Sequence, residues 1–190
     1  MPRERKTRLK AEPLVPAMLE GEVARLRPLC AADCAVSVRW RNDPDIRDNI
    51  LGYRFPITEE MEAQWVDAVL KDQSRARLVL AIEDKTDGAL AGFAYLNGID
   101  WFARHAELGM LIGERSRQGK GLAKEALALV AGYAFETLNL NKLHLRVAAF
   151  NARALRLYRD FGFVEEQRQQ AFIRGRYHDV VLMGLIRSHA

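Results

Sequence analysis

The chain has 190 residues, 49% of them hydrophobic, and carries 29 Lys and Arg against 25 Asp and Glu, a formal charge of +4. That length suits one domain with a full core, and no apolar run approaches the roughly 20 residues of a membrane span. Two cysteines, Cys30 and Cys34, support neither a disulfide framework nor a zinc site, and His105, His144, His178 and His189 lack metal-motif spacing, so no metal is expected.

Residues 1–20 set Arg3, Arg5, Lys6, Arg8 and Lys10 against Glu4, Glu12 and Glu20, a net of +2. This reads as a basic N-terminal arm ahead of one domain over 21–190. Leu14 to Leu19 is short for a signal core and contains Pro16, so a cytoplasmic protein is expected. Basic residues with no aromatic among them give no reason to expect a nucleic-acid partner.

Val23 to Leu29 reads as a first strand and Ala31 to Arg41 as a helix, with a break at Asn42-Asp43-Pro44-Asp45. Thr58 caps a second helix running to about Asp72, with Met61, Trp65, Ala68 and Val69 as its inward face. Three strands follow, Leu78–Glu83, Ala89–Asn97 and Arg104–Ile112, joined by short turns as in an antiparallel meander. A long helix then places Leu122, Ala126, Val130, Tyr133 and Thr137 on one side. Lys142 to Ala148 is a fifth strand, which implies a strand–helix–strand crossover. Asn151 opens a helix that Gly162 stops, and Phe163–Ile173 and Arg176–Ile186 form a final pair around Arg174-Gly175.

Between the fourth strand and the long helix lies Gly113-Glu114-Arg115-Ser116-Arg117-Gln118-Gly119-Lys120-Gly121-Leu122-Ala123. A basic, glycine-punctuated loop running into a helix N-terminus presents backbone N–H groups to an anion. A mononucleotide loop would need glycine where Glu114 stands and a hydroxyl at Gly121, and a dinucleotide fingerprint would need a third glycine at Lys124. Both are excluded.

The surviving pattern, Gln118-x-x-Gly121-x-Ala123, resembles the pyrophosphate loop of the GCN5-related N-acetyltransferases, the GNAT superfamily. Asn151 and Tyr158, followed by Gly162-Phe163, resemble that family's second motif. The resemblance implies an α+β fold, an α/β sandwich of about seven mostly antiparallel strands with helices on both faces. It also implies acetyl-CoA as donor and a small-molecule primary amine as acceptor, acetylated by direct attack in a ternary complex. Dimerisation is common in the family, so a homodimer is among the expected partners.

On the same grounds the cofactor would meet Met110, Leu111, Ile112, Arg117, Gln118, Gly119, Lys120, Gly121, Leu122, Ala123, Asn151 and Tyr158, with Arg115, Arg117 and Lys120 offsetting phosphate charge. A bulge in the fourth strand would free an N–H among Met110, Leu111 and Ile112 for the thioester oxygen. Tyr158 would protonate the departing thiolate, and Glu107, on the same strand, would accept the amine proton. Arg146 stands where some relatives that modify protein N-termini carry a Glu.

Acceptor-lining candidates are Trp40, Arg41, Trp101 and Tyr177, with Arg39, Arg47, Arg54 and Asp179 nearby. Arginines beside an indole suit a phosphate and a flat ring, favouring a nucleotide-linked amino sugar. Polyamines come next, since Gln118 to Ala123 and Asn139-Leu-Asn-Lys-Leu143 resemble spermidine acetyltransferases. A ribosomal-protein-like N-terminal acetyltransferase and a non-catalytic acyl-CoA-binding module are the alternatives.

Overall fold

The computed structural model describes residues 17–51 and 55–188; most of the basic arm, Arg54 and His189 lie outside them. Eight strands form one sheet: β1 (Leu19–Glu20), β2 (Ala24–Pro28), β3 (Arg77–Asp84), β4 (Leu90–Asp100), β5 (His105–Ile112), β6 (Lys142–Ala148), β7 (Val164–Ile173) and β8 (Arg176–Ile186). Their spatial order is β1-β2-β3-β4-β5-β6-β8-β7, and every neighbouring pair is antiparallel except β5–β6. The sheet is thus mostly antiparallel, as expected, with one strand more. The addition is β1, which lies within the segment read as an arm and pairs with Leu26 and Arg25.

Side-chain alternation along β3 and β4 divides the interior into two cores. Leu80, Ile82, Ala94 and Leu96 face α4 (Leu122–Gly132) and α5 (Ala152–Phe161). Val79, Ala81 and Phe93 face α1 (Cys34–Asn42) and α3 (Glu59–Leu70). A four-residue α2 (Pro44–Arg47) occupies what reads in sequence as a plain break. It forms because Asp43 caps it and Pro44 takes its first position, where a missing N–H costs nothing. No helix among the described residues is long and apolar enough to cross a membrane.

Two helix faces depart from expectation. In α3, Met61 and Ala68 are exposed, while Glu62 and Val66 are buried with Trp65 and Val69 half-buried beside them. The stripe is shifted because Glu62 turns inward to meet Ser37 Oγ and the Arg41 guanidinium. After α4 the backbone widens into a π-helical turn over Tyr133–Thr137. Ala134 stays on the buried face by ordinary spacing from Leu127 and Val130, Tyr133 is half-buried beside it, and the wider turn carries Thr137 out to solvent.

The parallel seam decides where a ligand can enter. β5 and β6 pair only through His105↔Lys142, Ala106↔Leu143 and Glu107↔His144, then part. β5 stays with β4 as far as Ile112, and β6 stays with β8. A V-shaped gap opens between them, leaving backbone groups of Leu108 to Ile112 without a β6 partner. The expected bulge is not at this place: β4–β5 register is unbroken from Leu96↔Leu108 to Gly92↔Ile112 and shifts only between Asn97 and Asp100. Strand divergence, not a bulge, opens this edge.

Candidate active site

The gap continues into a cavity of about 690 Å³. Met110, Leu111 and Ile112 line it from β5, Arg117 to Gly119, Gly121 and Ala123 from the loop, and Asn151, Ala154, Leu157 and Tyr158 from α5. Asp45, Ile46, Asn49 and Ile50 close it from the α2 side.

Gly119 (φ 83°) and Gly121 (φ 86°) take the left-handed conformation that glycine adopts without strain, and Gly121 is the N-cap of α4. The amides of Gly119, Lys120 and Gly121 bond nothing among the described residues. Those of Leu122, Ala123 and Lys124 form the first turn of α4 and have no intrahelical acceptor. This is a row of donors suited to a diphosphate.

The cations around it differ from the sequence reading. Arg115 is bound to Asp43 and Asp45 at 2.8 and 2.9 Å, and Arg117 to Asp84 and Asp87, both at 2.7 Å. Lys120 is exposed, and its side chain bonds nothing among the described residues. Lys124, Arg153 and Arg156 also line the cavity, and the sequence reading missed all three. Arg153 donates to Gln118 Oε1 (3.0 Å) while Gln118 Nε2 donates to the Ile112 carbonyl (3.1 Å). That chain fixes the loop against the end of β5. The signal was present in the basic 3–4 spacing of Arg153 and Arg156 on α5, but only the fold shows that this face meets the loop. Leu122 is buried in the core and reaches the site through its backbone alone.

Asn151 lines the cavity and also caps α5, its Oδ1 accepting from the Ala154 amide (3.1 Å). Tyr158 is only 7% exposed and packs edge-on against Phe163, with ring centroids 5.6 Å apart. Burial pushes its phenol up to about 12, so it remains a proton donor throughout the physiological range.

Glu107 does not line the cavity. It sits at the last paired position before the strands part, bound to Arg146 Nε at 2.9 Å. The four acceptor candidates are not brought together. Trp40 is 5% exposed and lies edge-on to Phe93, over Gly113, where an added Cβ would fall 2.0 Å from the indole. Arg41 is held by Glu62 and stacks on Trp65. Trp101 is exposed on the turn after β4, and Tyr177 is exposed at the β7–β8 hairpin against Phe172. The residues on the α2 side of the cavity, Asp45 and Asn49 among them, were not singled out as acceptor-lining.

Comparison with known proteins agrees with this geometry. The family model for the acetyltransferase (GNAT) domain matches residues 24–164. Spermidine N(1)-acetyltransferase of Vibrio cholerae is 36% identical over 146 residues, covering 74% of this chain and 82% of that protein. The Escherichia coli K12 enzyme of the same name is 35% identical over 171 residues, covering 87% of each. A crystal structure of the Vibrio cholerae spermidine N-acetyltransferase with CoA and spermine superposes with a TM-score of 0.80 at 29% identity, covering 87% of this chain and 96% of that one. An open amide loop beside a parted strand pair, in a chain matched this widely, leads to one conclusion: the protein belongs to the GNAT family and is an acetyl-CoA-dependent N-acetyltransferase.

Proposed function

We propose that the acceptor is a polyamine of the spermidine type, acetylated on a primary amine. The observation that carries this reading is the extent of similarity to spermidine acetyltransferases, from 74 to 87% of the chain. Side-chain placement supports it. The residues that favoured a nucleotide-linked amino sugar are engaged elsewhere, with Trp40 in the core and Arg41 on Glu62. The α2 side of the cavity offers the Asn49 amide oxygen and Asp45, whose carboxylate is shared with Arg115 but still 70% exposed, groups that can accept further hydrogen bonds from ammonium. The order of the two acceptors is therefore reversed from the sequence reading.

The residues fit acetyl-CoA. The amides from Gly119 to Lys124 would hold the diphosphate, with Lys120, Lys124 and Arg156 adding charge, and Asn151 would meet the pantetheine arm. Bound there, acetyl-CoA supplies an acetyl thioester. The unpaired edge of β5 at Met110–Ile112 offers backbone N–H groups in fixed positions to a carbonyl oxygen. Tyr158 holds a proton at its phenolic oxygen for release to a departing thiolate. Glu107 sits at the floor of the V, paired with Arg146.

The test is an initial-rate thiol-release assay with acetyl-CoA over spermidine, spermine, a nucleotide-linked amino sugar and a peptide with a free N-terminus. A kcat/KM for spermidine at least about 100-fold above the other two classes supports the reading. The same advantage for the amino sugar or the peptide would overturn it.

A further inference from the structure

Arg115, Arg117 and Arg159 are neutralised by carboxylates, the first by Asp43 and Asp45, the second by Asp84 and Asp87, the third by Glu165. Lys124, Arg153 and Arg156 are not. All three are exposed and line the cavity, and none has a carboxylate partner among the described residues. Arg153 meets only the neutral Gln118. Lys120, in the loop, is also unpaired among the described residues. Of the carboxylates lining the cavity, Asp45 is held by Arg115, which leaves Asp160 near these cations.

Helix geometry puts the lining groups in order. At 3.6 residues per turn, those of α5 run round the helix from Ala154 and Tyr158 through Leu157 to Arg153, then to Asp160 and Arg156. Tyr158 is buried, Ala154 and Leu157 are half-buried, and Arg153, Arg156 and Asp160 are exposed, so the order runs from the interior outward. Arg153 marks the level of the loop, its Nη2 lying 3.8 Å from where a Cβ on Gly119 would fall. Arg156 is therefore on the far side of the loop contact from the phenol. Lys124 reaches the cavity from α4, three residues or about 4.5 Å along the helix from the Gly121 cap.

Acetyl-CoA carries a phosphate monoester on the 3′-oxygen of its ribose, besides the diphosphate on the 5′-oxygen. With the thioester at Tyr158 and the diphosphate on the loop amides, the nucleoside lies beyond Arg153, on the Arg156 side. We propose that Arg156 and Lys124 form a site for the ribose 3′-phosphate, which makes the enzyme select CoA thioesters over their 3′-dephospho counterparts. The monoester adds about −1.5 to −2 of charge at pH 7, which these two cations match. Arg156 presents a planar fork of donors to phosphate oxygens, and Lys124 a point charge. Neither must give up an internal ion pair to do so. The role rests on acetyl-CoA as the donor and not on which amine is acetylated.

The experiment is calorimetric titration of CoA and of 3′-dephospho-CoA into wild type, Arg156→Gln and the Lys124→Gln/Arg156→Gln double variant. It is run at about pH 7.5 and low salt, where exposed charges are least screened. Wild type should bind CoA about 10- to 100-fold more tightly than 3′-dephospho-CoA, the effect of two charge-assisted contacts to one phosphate. That preference should shrink in Arg156→Gln and fall below about twofold in the double variant. A wild type that binds both ligands equally overturns the proposal, as does a double variant that keeps the full preference. No binding of CoA at all would remove the donor reading, and the site with it. If the double variant does not fold, 31P NMR of CoA bound to wild type decides. A 3′-phosphate that titrates well below its free value of about pH 6 supports the site, and one that titrates at the free value overturns it.

Discussion

Arg153 illustrates how charge near a phosphate loop is misread from sequence. Arg115 and Arg117 lie inside the loop, yet their guanidinium groups are taken up by Asp43 and Asp45 and by Asp84 and Asp87. Arg153, some 35 residues away, is the cation that holds Gln118. Arg153→Ala is expected to raise KM for acetyl-CoA by roughly 3- to 10-fold, the loss of one charge-assisted bond at an exposed site, with kcat nearly unchanged. Steady-state kinetics with acetyl-CoA varied would check this, and an unaltered KM would contradict it. What the sequence does bring to one cavity is Gln118, Gly119, Gly121, Ala123, Asn151 and Tyr158. These share two short motifs whose spacing reflects local backbone geometry. Lys124, Arg156, Asp45 and Asn49 depend on which helix faces which, and that is long-range information.

At the scale of elements, two contacts fix the parts that carry the site. Glu125, in the first turn of α4, accepts from the amides of Glu22, Val23 and Ala24, clamping the β1–β2 turn to the helix that bears the loop. Burial alone would raise its pKa, but the three amides outweigh burial and hold it below the ordinary glutamate value. A depressed folded-state pKa gives stability that is complete above the unfolded value of about 4.3 and is lost as pH falls through the folded one. Glu125→Gln should therefore cost about 1–2 kcal/mol at pH 7, since the carboxylate is partly open to water. That is a drop of roughly 2–8 °C in Tm. Calorimetric melts should show the difference narrowing below about pH 4.3; a constant difference down to pH 3 would refute the linkage.

Gly113 is the second contact. An added methyl would enter the Trp40 indole, so Gly113→Ala should destabilise by about 1–3 kcal/mol in urea unfolding, and a neutral result would mean that Trp40 moves freely. Element types and order were legible because period-2 and period-3.6 patterns are strong in this chain. The phases of α3 and the end of α4 were not. A buried Glu62 paired to Arg41 breaks the rule that apolar residues mark the inner face, and the π-turn at Tyr133–Thr137 has no signature in hydrophobic spacing.

For the molecule as a whole, a meander and a crossover were readable, but not the place where the sheet opens. The parting of β5 from β6 after Glu107↔His144 arises because β5 remains with β4 while β6 remains with β8, a competition no single segment records. That opening gives a buried phenol access to a cavity lined by a loop of unbonded amides. The most direct test compares wild type with Tyr158→Phe, measuring kcat with spermidine and acetyl-CoA affinity by calorimetry. The expected result is a fall in kcat of about 100-fold or more with acetyl-CoA affinity preserved, because the ring still fills its place against Phe163 and only the proton is lost. A Tyr158→Phe enzyme as fast as wild type, or a wild type that releases no thiol with spermidine while binding acetyl-CoA, would contradict it.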